Sequence, residues 1–279
     1  MSISHIRRLS ATLQSQGLIG TVATIAKRPV RSTAVFREQV LGGKGLEIGG
    51  PSPFFRTFLP IYECIASLDN CVFSNNTIWE GEVSEAFAYH PSRPHGRNYI
   101  TDGSNLSQFP NGAYDFVLSC HNLEHIANPI KALKEWIRVT KPGGVIILVL
   151  PDRHRTFDHR RPPTPIGHML DDYARNVTED DATHLAEILA KHDLRKDPGA
   201  GTWENFRQRS LNNLQLRCLH HHVFDKDNIQ QLLEILGLTV KVIEAALPFH
   251  IAALAQLPNP ARQARQNASA KDSELVTAQ

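Results

Sequence analysis

The chain has 279 residues, 41% hydrophobic and 21% charged, with 30 basic side chains against 28 acidic ones. That length supports one large domain, or a domain with a sizeable insertion, around a real hydrophobic core. A net charge of +2 gives no global electrostatic argument for nucleic acid or an anionic membrane. The unusual count is histidine: 14 in all, eight of them between His154 and His222, ending in the triplet His220-His221-His222.

The cysteines Cys64, Cys71, Cys120 and Cys218 form no C-x-x-C pair, as expected of reduced residues in a cytoplasmic protein. The amino-terminal residues show no sustained apolar run of a secretory signal. The densest apolar stretch, Val145 to Leu150, is far too short to span a bilayer.

Residues 1–40 read as a helical arm, with Ile6, Leu9, Leu13, Leu18, Ile19, Val22 and Ile25 at helical spacing and breaks at Gly17 and Gly20. The main domain is expected over residues 41–257. Gly45 to Gly49 reads as a buried strand ending in a tight turn. Ile61 to Leu68 reads as a second strand with Asp69 at its end, and Asn98 to Thr101 as a third ending at Asp102. Tyr114 to Ser119 is a fourth. Pro129 then opens an amphipathic helix carrying Ile130, Leu133, Trp136 and Ile137, with proline in the first turn where it is tolerated. Lys141-Pro142-Gly143-Gly144 reads as a turn before a fully apolar fifth strand, Val145 to Leu150. Strands alternating with helices predict an α/β, Rossmann-like, doubly wound and mostly parallel sheet, here of seven strands.

The alternation stops at Pro151. Residues 152–219 are polar and histidine-rich, with helical stretches near 166–192 and 203–217, and read as a lid inserted at the carboxyl end of the sheet. The pattern resumes with a helix at Asp227 to Leu236 and strands at Leu238 to Ile243 and Phe249 to Leu254. Residues 258–279 lack apolar periodicity and are expected to be a disordered tail.

Glu47-Ile48-Gly49-Gly50 after the first strand, with Asp69 further on, has the outline of a nucleotide-binding βαβ unit. The G-x-G-x-x-G pattern is absent, since Pro51-Ser52-Pro53 follows Gly50, and Glu47 adds negative charge where a diphosphate would sit. A nicotinamide-dependent oxidoreductase is therefore disfavoured, and a cofactor with a cationic end is favoured. A carboxylate at a strand end is often only a cap or turn residue. Asp69 and Asp102, in order at successive strand ends, make cofactor binding the stronger reading, whereas Asp115 reads as structural.

With these stretches the chain resembles the class I S-adenosylmethionine-dependent methyltransferases, of the type 11-like kind. The resemblance runs through Leu46-Glu47-Ile48-Gly49-Gly50, Asp69, Tyr99-Ile100-Thr101-Asp102-Gly103, Tyr114 to Ser119, Asn122-Leu123-Glu124-His125-Ile126-Ala127-Asn128-Pro129 and Lys141 to Gly144. It covers residues 45–151 and resumes from His222-Val223-Phe224 to Val240. It implies S-adenosylmethionine as cofactor, with Glu47 and Gly49 against its methionine part and Gly50 also cofactor-binding. Asp69 would take the ribose diol, Asp102 the adenine amino group, Gly103 would also be cofactor-binding, and Ser119 would start the loop beneath the sulfonium. The chain departs from the family in having Pro51 and Pro53 where glycines are usual.

His121-Asn122-Leu123-Glu124-His125 is similar to the E-x-x-E-H metal site of small-RNA 2′-O-methyltransferases and ubiquinone-pathway O-methyltransferases, with His121 replacing the first glutamate. In the RNA enzymes a further histidine precedes a phenylalanine by two positions, as His222 precedes Phe224 here. Two readings stay open: a divalent cation on His121, Glu124, His125 and His222, these four also forming the catalytic set, or a loop whose histidine contacts cofactor or caps a helix. In the lid, His159, Arg160, Arg161 and His184 are the candidate acceptor contacts. Asp180, His184 and Glu187 would share one helix face.

Methylation at oxygen of a small or glycan-like polyhydroxylated acceptor is the leading expectation. RNA is the rival acceptor, although the chain lacks a basic stripe with interleaved aromatics. A non-catalytic scaffold that keeps the fold is the other alternative, and Pro51 and Pro53 are its best support.

Overall fold

A computed structural model describes residues 30–77 and 81–260 of the chain. Most of the expected arm (1–40) and of the expected tail (258–279) lies outside the described residues. From the arm, α1 (Thr33–Val40) is described, anchored by the buried Phe36 and Val40.

The strands are β1 (Lys44–Ile48), β2 (Ser67–Val72), β3 (Asn76–Thr77), β4 (Gly81–Glu82), β5 (Ala86–Phe87), β6 (Gly96–Ile100), β7 (Tyr114–Cys120), β8 (Thr140–Pro151), β9 (Thr239–Ala246) and β10 (His250–Gln256). One eight-stranded sheet has the order β5-β6-β2-β1-β7-β8-β10-β9, and β3 pairs with β4 separately. The five strands from β6 to β8 pair in parallel; β10 runs antiparallel to both β8 and β9. This is the expected Rossmann-like sheet, with the two-residue β5 added antiparallel at its edge.

The central strands are continuous apolar runs because helices or loops cover both faces. Alternation sorts their side chains. Val117, Ile146, Leu148 and Leu150 join Ile130, Leu133 and Trp136 of α3 (Pro129–Val139) and Ile229, Leu232 and Leu233 of α8 (Lys226–Ile235). Phe116, Leu118, Val145, Ile147 and Val149 face the opposite side, where Phe36, Phe54, Phe55 and Tyr62 pack. Phe54 and Phe55 open the short α2 (Phe54–Thr57).

Three expectations are corrected. The second strand is Ser67–Val72, not 61–68: Ile61, Tyr62 and Ile65 are apolar because they are buried in turns, not because they are extended. In consequence Asp69 lies mid-strand, opposite Leu46, and the carboxyl end falls at Val72. Lys141 to Gly144 lie within the span of β8, where the register shifts and Gly143 has φ +79°, so the bend is made inside the strand. The lid helices are α4 (Ile166–Ala174), α5 (Leu185–Lys191), α6 (Trp203–Leu211) and α7 (Asn213–Leu216). Residues 175–184 between α4 and α5 are turns, with Asn176 at φ +49°, so Asp180, His184 and Glu187 do not share a helix.

Strand order reverses between β1 and β7. In open α/β sheets the crevice outside the carboxyl ends at such a point receives ligands.

Candidate active site

Both loops leaving the crevice start with left-handed backbone. Gly49 after β1 has φ +74° and His121 after β7 has φ +50°. A Cβ on Gly49 would lie 2.6 Å from Nδ2 of Asn122, so the two loops meet there closely enough to require glycine. The backbone of Gly50 is held at both ends by Asn70: its N–H donates to Oδ1 at 2.9 Å and its carbonyl accepts from Nδ2 at 3.1 Å. Glu47 is fully buried. The Tyr62 hydroxyl lies 2.8 and 2.7 Å from its two oxygens, and Ser52 N–H donates to it at 3.1 Å. Burial and the Glu47 charge push the Tyr62 hydroxyl well above its ordinary range, so it stays a donor. Pro51 and Pro53 therefore sit in a loop tied down by Glu47, Tyr62 and Asn70 rather than by glycines. Tyr62 and Asn70 were missed in the sequence, where no motif marked either.

The structure places Asp69 away from the crevice. It accepts from the Tyr114 hydroxyl (3.1 Å) and Arg97 N–H (3.1 Å) and lies 3.6 Å from Lys44 Nζ. Tyr114 and Lys44 begin their strands, so this carboxylate belongs to the amino end of the sheet and cannot be assigned to the ribose. Phe73, directly after β2, stands at the carboxyl end instead.

Asp102 does lie at the carboxyl end of β6. Ser104 donates to its Oδ1 through N–H (2.8 Å) and hydroxyl (2.7 Å), and Arg217 donates to Oδ2 (3.1 Å). Burial raises its carboxyl, but these bonds outweigh it and hold the group below its usual range. Arg217, at φ +50° after α7, also meets Glu179 at 2.9 Å and lies over the Phe73 ring at 5.4 Å. The lid thus closes over the ends of β2 and β6 through one arginine that no motif announced. Gly103 carries a carbonyl that accepts from Trp136 Nε1 at 2.8 Å. Ser119 is 1% exposed, and its hydroxyl has no hydrogen-bond partner.

The loop after β7 contains a 3-10 turn, Leu123–His125. Glu124 there is fully buried and neither carboxylate oxygen has a hydrogen-bond partner. His121 Nδ1 stands 3.4 Å away, too long for a good bond, while its Nε2 lies 2.7 Å from His250 Nδ1. His125 donates from Nδ1 to the Leu219 carbonyl at 3.0 Å, which puts its lone pair on Nε2. Burial and the neighbouring His220 push His125 down to about 4. Burial works against ionisation of Glu124, but the adjacent histidines win and its carboxyl lies below the usual range. His220 completes the group: it packs edge-on to His125 at 4.7 Å and pairs with Asp158 at 2.5 Å. Glu124, His125 and His220 each offer a ligand atom within 4.8 Å of the others.

His222 is not part of that group. The backbone passes Glu124, with His222 N–H 3.4 Å from the Glu124 carbonyl, but the imidazole turns to Ala127 O at 3.1 Å and to His168, Asp172 and His184. His220 stands where the motif suggested His222. Of the acceptor candidates, His159 and Arg160 both reach Asp193, at 3.0 and 3.5 Å. Arg161 is 1% exposed, with its guanidinium given to Asp158, Glu187 and the carbonyls of His220 and His221, so it braces the lid and has no face for an anion. His184 belongs to the His222 group. A polar surface cleft of about 600 Å³, lined by Ser104, Lys131, Lys134, Arg138 and Tyr173 among others, runs along α3 and holds none of the predicted site residues. Among the described residues no helix is long and apolar enough to cross a membrane.

Residues 75–148 match the family model described as a methyltransferase domain. Over this segment the chain is similar to a methyltransferase domain. The matched segment holds Asp102, Ser119, Glu124 and His125; the Glu47–Gly50 loop and the lid lie outside it. S-adenosylmethionine is the methyl donor that the resemblance implies. The chain is similar in fold to a SAM-dependent methyltransferase from Aquifex aeolicus, at 12% identity over 85% of this chain and 97% of that one, TM-score 0.43. It is also similar to one from Methanosarcina mazei (13%, 81% and 97%, TM-score 0.48) and one from Mesorhizobium loti (13%, 81% and 95%, TM-score 0.45). No curated protein matches the chain.

The residues fit the donor in part. The glycine-demanding approach of the two loops, the unpartnered Ser119 hydroxyl and Asp102 at the β6 end suit it. Asp69 does not, and Glu47 is shared with Tyr62.

Proposed function

We propose that this methyltransferase acts on a hydroxyl of a small, polyhydroxylated or glycan-like acceptor, assisted by a divalent cation on Glu124, His125 and His220 beside His121. The observation that carries this reading is Glu124: a fully buried carboxylate with neither oxygen hydrogen-bonded, directly beyond the crevice. A buried carboxylate with no hydrogen bond, held only by neighbouring histidines, is costly, and groups of this kind are retained where they bind a cation or move a proton.

When bound, the donor supplies an electrophilic methyl on a sulfonium. Ser119, Gly49 and Asp102 then hold and orient it, and the lid excludes water through Arg217 and the 219–222 segment. Alignment of reacting atoms is the protein's main contribution, worth roughly 7–11 kcal/mol in well-oriented systems. A hydroxyl acceptor must also lose its proton; Glu124 serves this either directly or by holding the cation that acidifies the hydroxyl. His125, kept neutral by burial, is suited to ligation through Nε2, and Asp158 steers His220. His159 and Arg160 are the partly exposed lid groups proposed to touch the acceptor.

The test is transfer of labelled methyl from S-adenosylmethionine to a panel of small polyols, oligosaccharides, amines and RNA, with and without EDTA. Label on oxygen of a polyhydroxylated acceptor, lost with EDTA and reduced about a hundredfold by Glu124→Gln, is expected. Label on nitrogen or RNA, or full turnover by Glu124→Gln, overturns it.

A further inference from the structure

The lid contains a second polar cluster that methyl transfer does not use. His168 and Asp172 lie one turn apart on α4, His184 immediately precedes α5, and His222 sits in the segment returning to the sheet. His168 Nε2 is 3.0 Å from His184 Nε2 and 3.3 Å from Asp172 Oδ2, and His222 Nε2 is 3.8 Å from the same Oδ2. One ligand atom from each of the four residues lies within 4.8 Å of all the others.

We infer that His168, Asp172, His184 and His222 form a zinc-binding site that staples the lid. Four nitrogen and oxygen donors are the number a closed, structural tetrahedral site requires. With zinc–ligand bonds of about 2.0–2.1 Å, tetrahedral donors stand roughly 3.3–3.4 Å apart. The two spacings among His168, His184 and Asp172 lie close to that value, and His222, whose Nε2 donates to the Ala127 carbonyl, offers Nδ1.

Hydrogen bonding alone does not account for the cluster. Asp172 is 2% exposed and His222 is fully buried, yet Asp172 Oδ2 and His222 Nδ1 have no hydrogen-bond partner. Buried polar atoms left in this way call for a ligand. The surroundings supply the outer contacts that metal ligands need: Arg175 donates to Asp172 Oδ1 at 2.7 Å, and the His222 ring lies 3.1 Å from the Ala127 carbonyl. Imidazoles with one carboxylate suit zinc, whereas calcium or magnesium would want oxygen ligands throughout.

The site would join three lid segments far apart in the chain, and Asn128 Nδ2, donating to the Asp172 carbonyl at 3.1 Å, links it to the start of α3. It is separate from the Glu124 cluster and does not depend on the proposed methyl acceptor. Residues 220–222 contribute one histidine to each.

Metal content and cobalt spectra of the full-length chain test the assignment. Stripped protein is titrated with zinc against a chromophoric chelator, then reconstituted with cobalt. Wild type and His125→Ala should both show the visible bands of tetrahedral cobalt; adding Asp172→Asn or His184→Gln to His125→Ala, which disables the Glu124 cluster, should abolish them together with one zinc equivalent. Zinc should also slow proteolysis within residues 160–190 of wild type. Stripped wild type that takes up no zinc, or bands that persist when both lid substitutions are tested on the His125→Ala background, overturns the site. Should a lid variant fail to fold, the wild-type and His125→Ala spectra still decide. Loss of the bands in His125→Ala alone would assign the cobalt to Glu124's cluster and contradict the lid site.

Discussion

Glu179 shows burial and charge in direct competition. It is 9% exposed, accepts from Ala127 N–H and faces Arg217, yet burial wins and its carboxyl is raised to about 7. For a carboxyl whose folded value lies above its unfolded one, the folded chain holds the extra proton between about pH 4.5 and 7. Its stabilising share is complete below that window and is lost as pH rises through it, about 3 kcal/mol in all. Urea unfolding at pH 5 and pH 8 should show Glu179→Gln gaining on wild type by that order as pH rises; an unchanged difference would contradict the raised value. Asp102 and Asp69 make the complementary point. Both were legible as acids near strand ends, but only the register of β2 against β1 reveals that Asp69 faces Tyr114 and Lys44. A one-sequence reading sees the residue and not its partner strand.

Among the elements, α3 was the most legible, because proline, cap and periodicity agree. Asn128 accepts from Lys131 N–H at 3.0 Å as its N-cap, and Pro129 opens the first turn. The same side chain donates to the Asp172 carbonyl, which the sequence could not reveal. Asn128→Ala should cost about 2 kcal/mol, from the lost cap and the buried carbonyl left unpaired. A denaturant midpoint unchanged from wild type would show that neither bond matters. The central strands were legible because both faces are covered and the runs are wholly apolar. Ile61 to Leu68 misled for the same reason: burial in turns produces the same composition as a strand. The lid helices were found, but the turns at 175–184 were not, since polar residues there suit helix and turn alike.

At the scale of the whole molecule, the histidine excess was legible as one concentration near one end of the sheet. Its division into two clusters was not. That division depends on which way consecutive side chains of 220–222 turn against elements nearly a hundred residues away in sequence, Glu124 and Ala127 among them. The same return segment ends the lid, and Arg217 latches it to Asp102 and Glu179. If the donor's adenine end takes Asp102 as the resemblance implies, it and Arg217 must share that carboxylate, or the arginine must swing aside. The most direct measurement is calorimetric titration of the full-length chain with S-adenosylhomocysteine. The account predicts one-to-one binding, weakened about tenfold by Asp102→Asn and left intact by Asp69→Asn. Absence of binding, or a loss caused by Asp69→Asn and not by Asp102→Asn, would contradict it.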